Sequence, residues 1–179
     1  MSSSGKMSQE TGTVAVTIVN HVSIEIDCDA RRVWNDIIEY YERGRKFADL
    51  GYAVTPLSDD PAALLGGYRI VGRIGDVEDE RICRITERDD EAMRLSVRAD
   101  YLAPSMMGLL VHATYQAVPT PSGTRYDVHA YSTMRFPFET KEEKAALAAT
   151  AAQMREQGGA FIEDSLRVVK ARLEGRAAP

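Results

Sequence analysis

Between residues 20 and 27 the chain alternates. Val22, Ile24 and Ile26 fall on one side, and His21, Ser23 and Glu25 on the other. That period of two predicts a half-buried strand, with organised sequence starting near Val14. Asp29 follows as a candidate N-cap. Val33, Trp34, Ile37, Ile38 and Tyr41 then recur at helical spacing up to Gly44. The stretch RKFADL adds a short helical turn before Gly51. From Tyr52 to Phe138 the punctuation becomes that of a meandering sheet. Apolar alternating runs are separated by Gly75-Asp76, Asp89-Asp90 and Pro121-Ser122-Gly123, while PAALLGG reads as a turn or one short helix. Such short connections favour antiparallel hairpins. Thr140 and Glu143 have the spacing of a capping box, and helical periodicity runs on to about Glu174.

The element order is strand, short helices, about six strands and one long helix. It predicts an α+β fold: a curved antiparallel sheet of about seven strands wrapped around the C-terminal helix, with small helices closing one end. A concave sheet and a single helix leave space between them, so a cavity is expected. Residues 1–12 are too polar to bury anything and read as a disordered tail, leaving 13–175 as one domain. No internal repeat is visible.

Composition narrows the function classes. With 44% hydrophobic and 27% charged residues the chain reads as an ordinary globular protein. A net charge of −5 with dispersed Lys and Arg argues against a nucleic-acid partner. No apolar run approaches a membrane span, and the polar N-terminus lacks a signal-peptide core, so a cytoplasmic location without membrane insertion is expected. Cys28 and Cys83 read as free thiols, buried or half-buried. No His, Cys and acid fall at metal-ligand spacing, and no phosphate-loop or dinucleotide motif has its structural context, so neither metal nor cofactor is expected.

The runs IEIDCDARRVWNDI (with Ala30, Val33 and Trp34), GGYRIVGRIGD (with Gly67) and FIEDSLRVVKARLEG give this order a resemblance to the START-like superfamily (SRPBCC), across roughly residues 16–175. That group includes polyketide cyclases and aromatases, lipid-transfer domains and plant hormone receptors. The resemblance implies a helix-grip fold around a ligand cavity. It carries over no catalytic residue.

Residues that alternation places inside supply the candidate site. Tyr68 shares a face with Ile70, Arg81 with Cys83 and Ile85, Tyr115 with Ala113, and Tyr126 with Val128 and Met134. Phenols and one guanidinium on an apolar wall suit an oxygenated, partly aromatic molecule. With Trp34, Met154 and Phe161 they are the expected cavity lining. Arg81 and Tyr126 are weak catalytic candidates, since an inward Arg stabilises an enolate or holds a carboxylate. His21, His112 and His129 alternate against the apolar sets and should face solvent.

Gly158 and Gly159 interrupt the long helix on or beside its apolar face, at a cost of about 1 kcal/mol each relative to alanine. Three readings are open: room for a ligand between Met154 and Phe161, a left-handed cap ending one helix, or close packing against the sheet. The apolar run YLAPSMMGLLV, including Met106 and Met107, is expected to be an inner strand with its turn, a loop over the cavity mouth, or a subunit contact in a possible homodimer. The leading functional expectation is binding of a hydrophobic or aromatic small molecule. A cyclase- or dehydratase-type enzyme is the alternative, and a coenzyme-Q-binding or chaperone-like domain the third.

Overall fold

The structure, a computed structural model, describes residues 11–103 and 108–175. Seven strands form one antiparallel sheet: β1 (Gly12–Ile26), β2 (Ala53–Pro56), β3 (Gly67–Ile74), β4 (Val77–Asp89), β5 (Arg94–Tyr101), β6 (Leu110–Thr120) and β7 (Gly123–Phe138). Their order across the sheet is β1-β7-β6-β5-β4-β3-β2, so every neighbouring pair except β1–β7 is consecutive in sequence. Helix α1 (Ala30–Ile37) runs into one π-helical turn (Ile38–Glu42). The short α2 (Arg45–Asp49) follows, and α3 (Lys141–Leu173) lies across the concave face. This is the helix-grip arrangement, with seven strands and the small helices after the first, as the element order predicts.

β1 is longer than the alternation over residues 20–27 suggests. It starts at Gly12 and pairs along its whole length with β7. The inward series Val16, Ile18, Val22, Ile24, Ile26 is interrupted by one polar residue, Asn20, at the position where the pattern appeared to begin. β4 carries a bulge between Ile85 and Glu87. An extra residue there resets the alternation, so that Glu87 reaches the Ser96 hydroxyl (2.9 Å) rather than following Ile85 inward. Gly67 opens β3 at φ +132°, where a Cβ would lie 2.1 Å from the Cys83 carbonyl oxygen; only glycine fits this approach.

Helix ends follow their sequence signals, with one difference. The Asp29 carboxylate accepts the Arg31 N–H (2.8 Å), and the Thr140 hydroxyl accepts the Glu143 N–H (3.1 Å). Glu143 reaches back to the Glu139 N–H (2.7 Å) instead of that of Thr140, so the reciprocal half of the box is displaced by one residue.

Apolar packing divides into two clusters. The larger joins Val33, Trp34 and Ile37 of α1 to Ile70, Ile85, Leu95 and Val128 of the sheet and to Leu166, Val169 and Leu173 of α3. The smaller holds Ile18, Met134 and Phe136, with Leu147 and Met154 resting on it. The buried residues of α3 are Leu166, Val169, Ala171 and Leu173, so the sheet grips the helix mainly by its C-terminal half. Cys28 and Cys83 are both free thiols. Residues 104–107, including the Met106-Met107 pair, and residues 1–10 of the expected tail lie outside the described residues.

Candidate functional site

Between the two clusters lies a cavity of about 520 Å³. Its existence follows from side-chain size and register. Across the middle of the sheet, Ala113 of β6 pairs with Val97 of β5 on one side and Ala130 of β7 on the other. Val111 in turn pairs with Ala99 and Ser132. All six line the cavity, so its floor is built from side chains too short to reach the helix. Opposite them, α3 contributes Gly158, Ile162, Ser165 and Leu166. The polar Asn20 of β1, cross-strand neighbour of Ala130, also lines it.

α3 is continuous through both glycines, which removes the reading of Gly158 as a left-handed cap: it adopts no positive φ. A Cβ at Gly158 would stand 3.0 Å from the Asn20 side-chain nitrogen, and one at Gly159 would stand 3.3 Å from its oxygen. The glycine pair therefore admits the Asn20 amide close to the helix and leaves open space beyond it. Of the remaining readings the contact is one of close approach, to the Asn20 amide rather than to a large side chain of the sheet.

One wall is aromatic. The Tyr41 and Tyr115 rings stack with centroids 3.8 Å apart, and the Tyr68 hydroxyl donates to the Tyr41 carbonyl at 2.7 Å. Tyr68 and Tyr115 are so enclosed that burial pushes both phenols well above their ordinary range, and Tyr101 is pushed up to about 12 for the same reason. All three stay protonated at neutral pH. The Tyr101 and Tyr115 hydroxyls make no hydrogen bond among the described residues, which leaves two donors in the lining unspent.

Arg81 lines the same cavity, but its guanidinium is already engaged. Nε donates to Asp79 Oδ1 at 2.7 Å, Nη2 donates to Asp79 Oδ2, and Tyr52 donates to Oδ2 at 2.9 Å. Asp79 is fully buried, and the guanidinium lies over the rings of Tyr101 (4.3 Å) and Phe47 (5.3 Å). This is a neutral, bidentate, aromatic-clamped pair rather than an open anion site. Cys83, beside it in the lining, has its thiol pushed up to about 11 by burial and is not a thiolate at neutral pH.

The structure gathers Tyr68, Arg81, Tyr115, Gly158 and Phe161 around the cavity and places four other expected lining residues elsewhere. Trp34 is buried in the larger cluster, its indole N–H donating to Asp90 Oδ1 at 3.1 Å. Tyr126 is also in that cluster, its hydroxyl buried, and it does not line the cavity. Met134 and Met154 belong to the smaller cluster at the other end. Phe161, 68% exposed, sits at the rim rather than inside, and so does Leu50, which is 66% exposed. Residues missed at the sequence level are Asn20, the alanine floor, and Lys46 of α2. The Lys46 amine lies 3.4 Å from the Tyr41 hydroxyl and 5.0 Å from that ring's centroid.

The histidines lie away from the cavity, as alternation predicts. His21 and His129 stack on the outer face with ring centroids 3.8 Å apart, and His112 hydrogen-bonds Thr86 at 3.0 Å. Among the described residues no group of three His, Cys, Asp or Glu is placed to hold a metal ion, and no helix is long and apolar enough to cross a membrane.

No family model and no curated protein matches the chain. Solved structures do. It is similar to a point mutant of norcoclaurine synthase from Thalictrum flavum in complex with a transition-state analogue (17% identity, 81% of this chain and 98% of that one, TM-score 0.53). It is also similar to Ara h 8.0201 (6% identity, 84% and 99%, TM-score 0.53). A third similar structure is a protein from Thermobifida fusca solved by NMR (21% identity, 89% and 97%, TM-score 0.53). At these identities the likeness is one of fold.

Proposed function

We propose that the protein binds a hydrophobic or aromatic small molecule in the cavity between the sheet and α3. The observation that carries this is a space of about 520 Å³ between the sheet and α3, floored by alanines and valines and walled by tyrosines. Ligand pockets fall in the range of about 300–1,000 Å³, mostly apolar with a few placed polar groups, and this lining has that make-up. A packed core would have filled the same space with several larger side chains along the floor, at a gain in stability. That norcoclaurine synthase, on the same fold, is solved with a bound transition-state analogue supports the reading.

A cyclase- or dehydratase-type enzyme is favoured by one observation, the two unspent phenol donors of Tyr101 and Tyr115 inside an apolar chamber. Such donors stabilise charge developing on a carbonyl oxygen. Arg81 is not needed for it, because its charge is balanced by Asp79.

The binding reading is tested with the neutral fluorophore N-phenyl-1-naphthylamine. Saturable one-to-one binding is expected, together with its loss in an Ala113→Leu variant that retains the wild-type circular dichroism spectrum. Binding unchanged by a leucine on the floor would overturn the assignment of the cavity. Native mass spectrometry of freshly purified protein then reports the mass of any retained molecule.

A further inference from the structure

The charges of the lining do not cancel. It holds two cationic side chains, Lys46 and Arg81, and no Asp or Glu. Arg81 is neutralised from behind by the buried Asp79. Among the described residues Lys46 has no such partner: its amine's hydrogen bond and ring contact are both with Tyr41, and no carboxylate forms an ion pair with it. One uncompensated positive charge therefore borders an apolar chamber.

Resting on the binding reading above, we infer that the ligand is a hydrophobic acid whose anionic group pairs with Lys46 Nζ while its apolar body occupies the alanine-floored chamber. Position supports this. Lys46 is half-buried on α2, the helix that leads directly into the rim residue Leu50. An anion held there keeps part of its hydration, so the desolvation that penalises buried ion pairs is reduced. The Tyr41 ring stacks on Tyr115 inside the cavity, and its hydroxyl lies within hydrogen-bond distance of the amine. Lys46 is thus held beside the aromatic wall rather than swinging free in solvent. A carboxylate, sulfonate or acidic phenol on an aromatic or aliphatic skeleton fits both the charge and the wall. A cationic amine does not, since it would face Lys46 with no acid in the lining to receive it.

Two probes sharing one skeleton separate the charge from the cavity: 1-anilinonaphthalene-8-sulfonate and the neutral N-phenyl-1-naphthylamine. Fluorescence titration of the wild type should show the sulfonate bound more tightly. In Lys46→Gln its affinity should fall about tenfold, the equivalent of about 1.4 kcal/mol, with the neutral probe unchanged. Lys46→Arg should restore most of the loss, and added salt should narrow the gap between the probes. As a control, Lys141→Gln in the exposed first turn of α3 should leave both unchanged. If both probes bind and Lys46→Gln weakens neither, the anion assignment is overturned while the cavity reading stands. If neither probe saturates, the cavity reading itself fails, and the inference with it.

Discussion

Replacing Gly158 tests the cavity from the helix side. In Gly158→Ala two effects oppose each other. Alanine raises helix propensity by about 1 kcal/mol at an interior position. Its methyl group would stand 3.0 Å from the Asn20 amide nitrogen, so that side chain must give way by a few tenths of an ångström. No hydrogen bond fixes the Asn20 side chain among the described residues, and a modest departure from its rotamer costs about 0.5–1.5 kcal/mol. The two nearly cancel, so the expected change in stability is within about 1 kcal/mol of zero. For a chain of this length that is a shift of about 2–4 °C in Tm. Gly158→Leu is different. Its four-carbon side chain enters the cavity beside Ile162. Because it fills empty space and gains helix propensity, its stability should lie within about 1 kcal/mol of that of Gly158→Ala, yet it should weaken the neutral naphthylamine probe at least tenfold. Thermal melts and fluorescence titrations on the same samples read both quantities. A loss of more than about 2 kcal/mol in Gly158→Ala would show that Asn20 is held rigidly and that close packing alone explains the glycine. Undiminished probe binding by Gly158→Leu would refute the placement of the ligand against α3.

Two further outcomes follow from buried or stacked charges. Sequence alone suggests that Arg81→Met should leave stability almost unchanged. The structure reverses that expectation, because the substitution strands Asp79, and a loss of about 3–5 kcal/mol by urea denaturation is expected. Adding Asp79→Asn should recover much of it; a stable single variant would contradict the pairing. His129 should titrate below the ordinary histidine value of 6.5, through burial first and the neighbouring His21 second. The unfolded chain then binds more protons than the folded one just below that value, so stability should fall as pH drops through it. An imidazole titration by NMR giving 6.5 or more for His129 would remove the effect.

Alternation along the strands states which face a residue occupies but not how far along the groove it lies. Tyr126 and Met134 share a face on β7 and are eight residues apart, about 26 Å of strand. Each falls into a different packing cluster, and the cavity occupies the stretch between them, at Val128, Ala130 and Ser132. Small residues at two successive inward positions on each of β5, β6 and β7 were the available signal for the floor. Their meaning depends on a register that only the paired strands provide. Asp79, two residues before Arg81, was equally readable as a partner on the same face. Asn20 breaks an otherwise apolar inward series on β1, and such local inconsistencies concentrate where a structure serves something besides stability. Lys46 could not be placed, because a five-residue helix has too few apolar positions to fix which side faces inward. The long helix and the succession of strands along the chain were legible because each rests on periodicity sustained over many residues, and the helix start because Thr140 carries a local capping signal.

The uneven grip on α3 separates two properties that most folds couple. Its C-terminal half is anchored by Leu166, Val169, Ala171 and Leu173, whereas residues 141–150 are exposed apart from Leu147. Substitutions along that outer stretch, rich in alanine, change the helix's own tendency to form while touching few packed neighbours. The chamber is roofed from Gly158 to Leu166, well past that stretch, so the fraying of the first turns can be tuned residue by residue without altering either the roof or what holds the helix in place. Selection or design can adjust how readily the helix's outer turns open while leaving the chamber as it is.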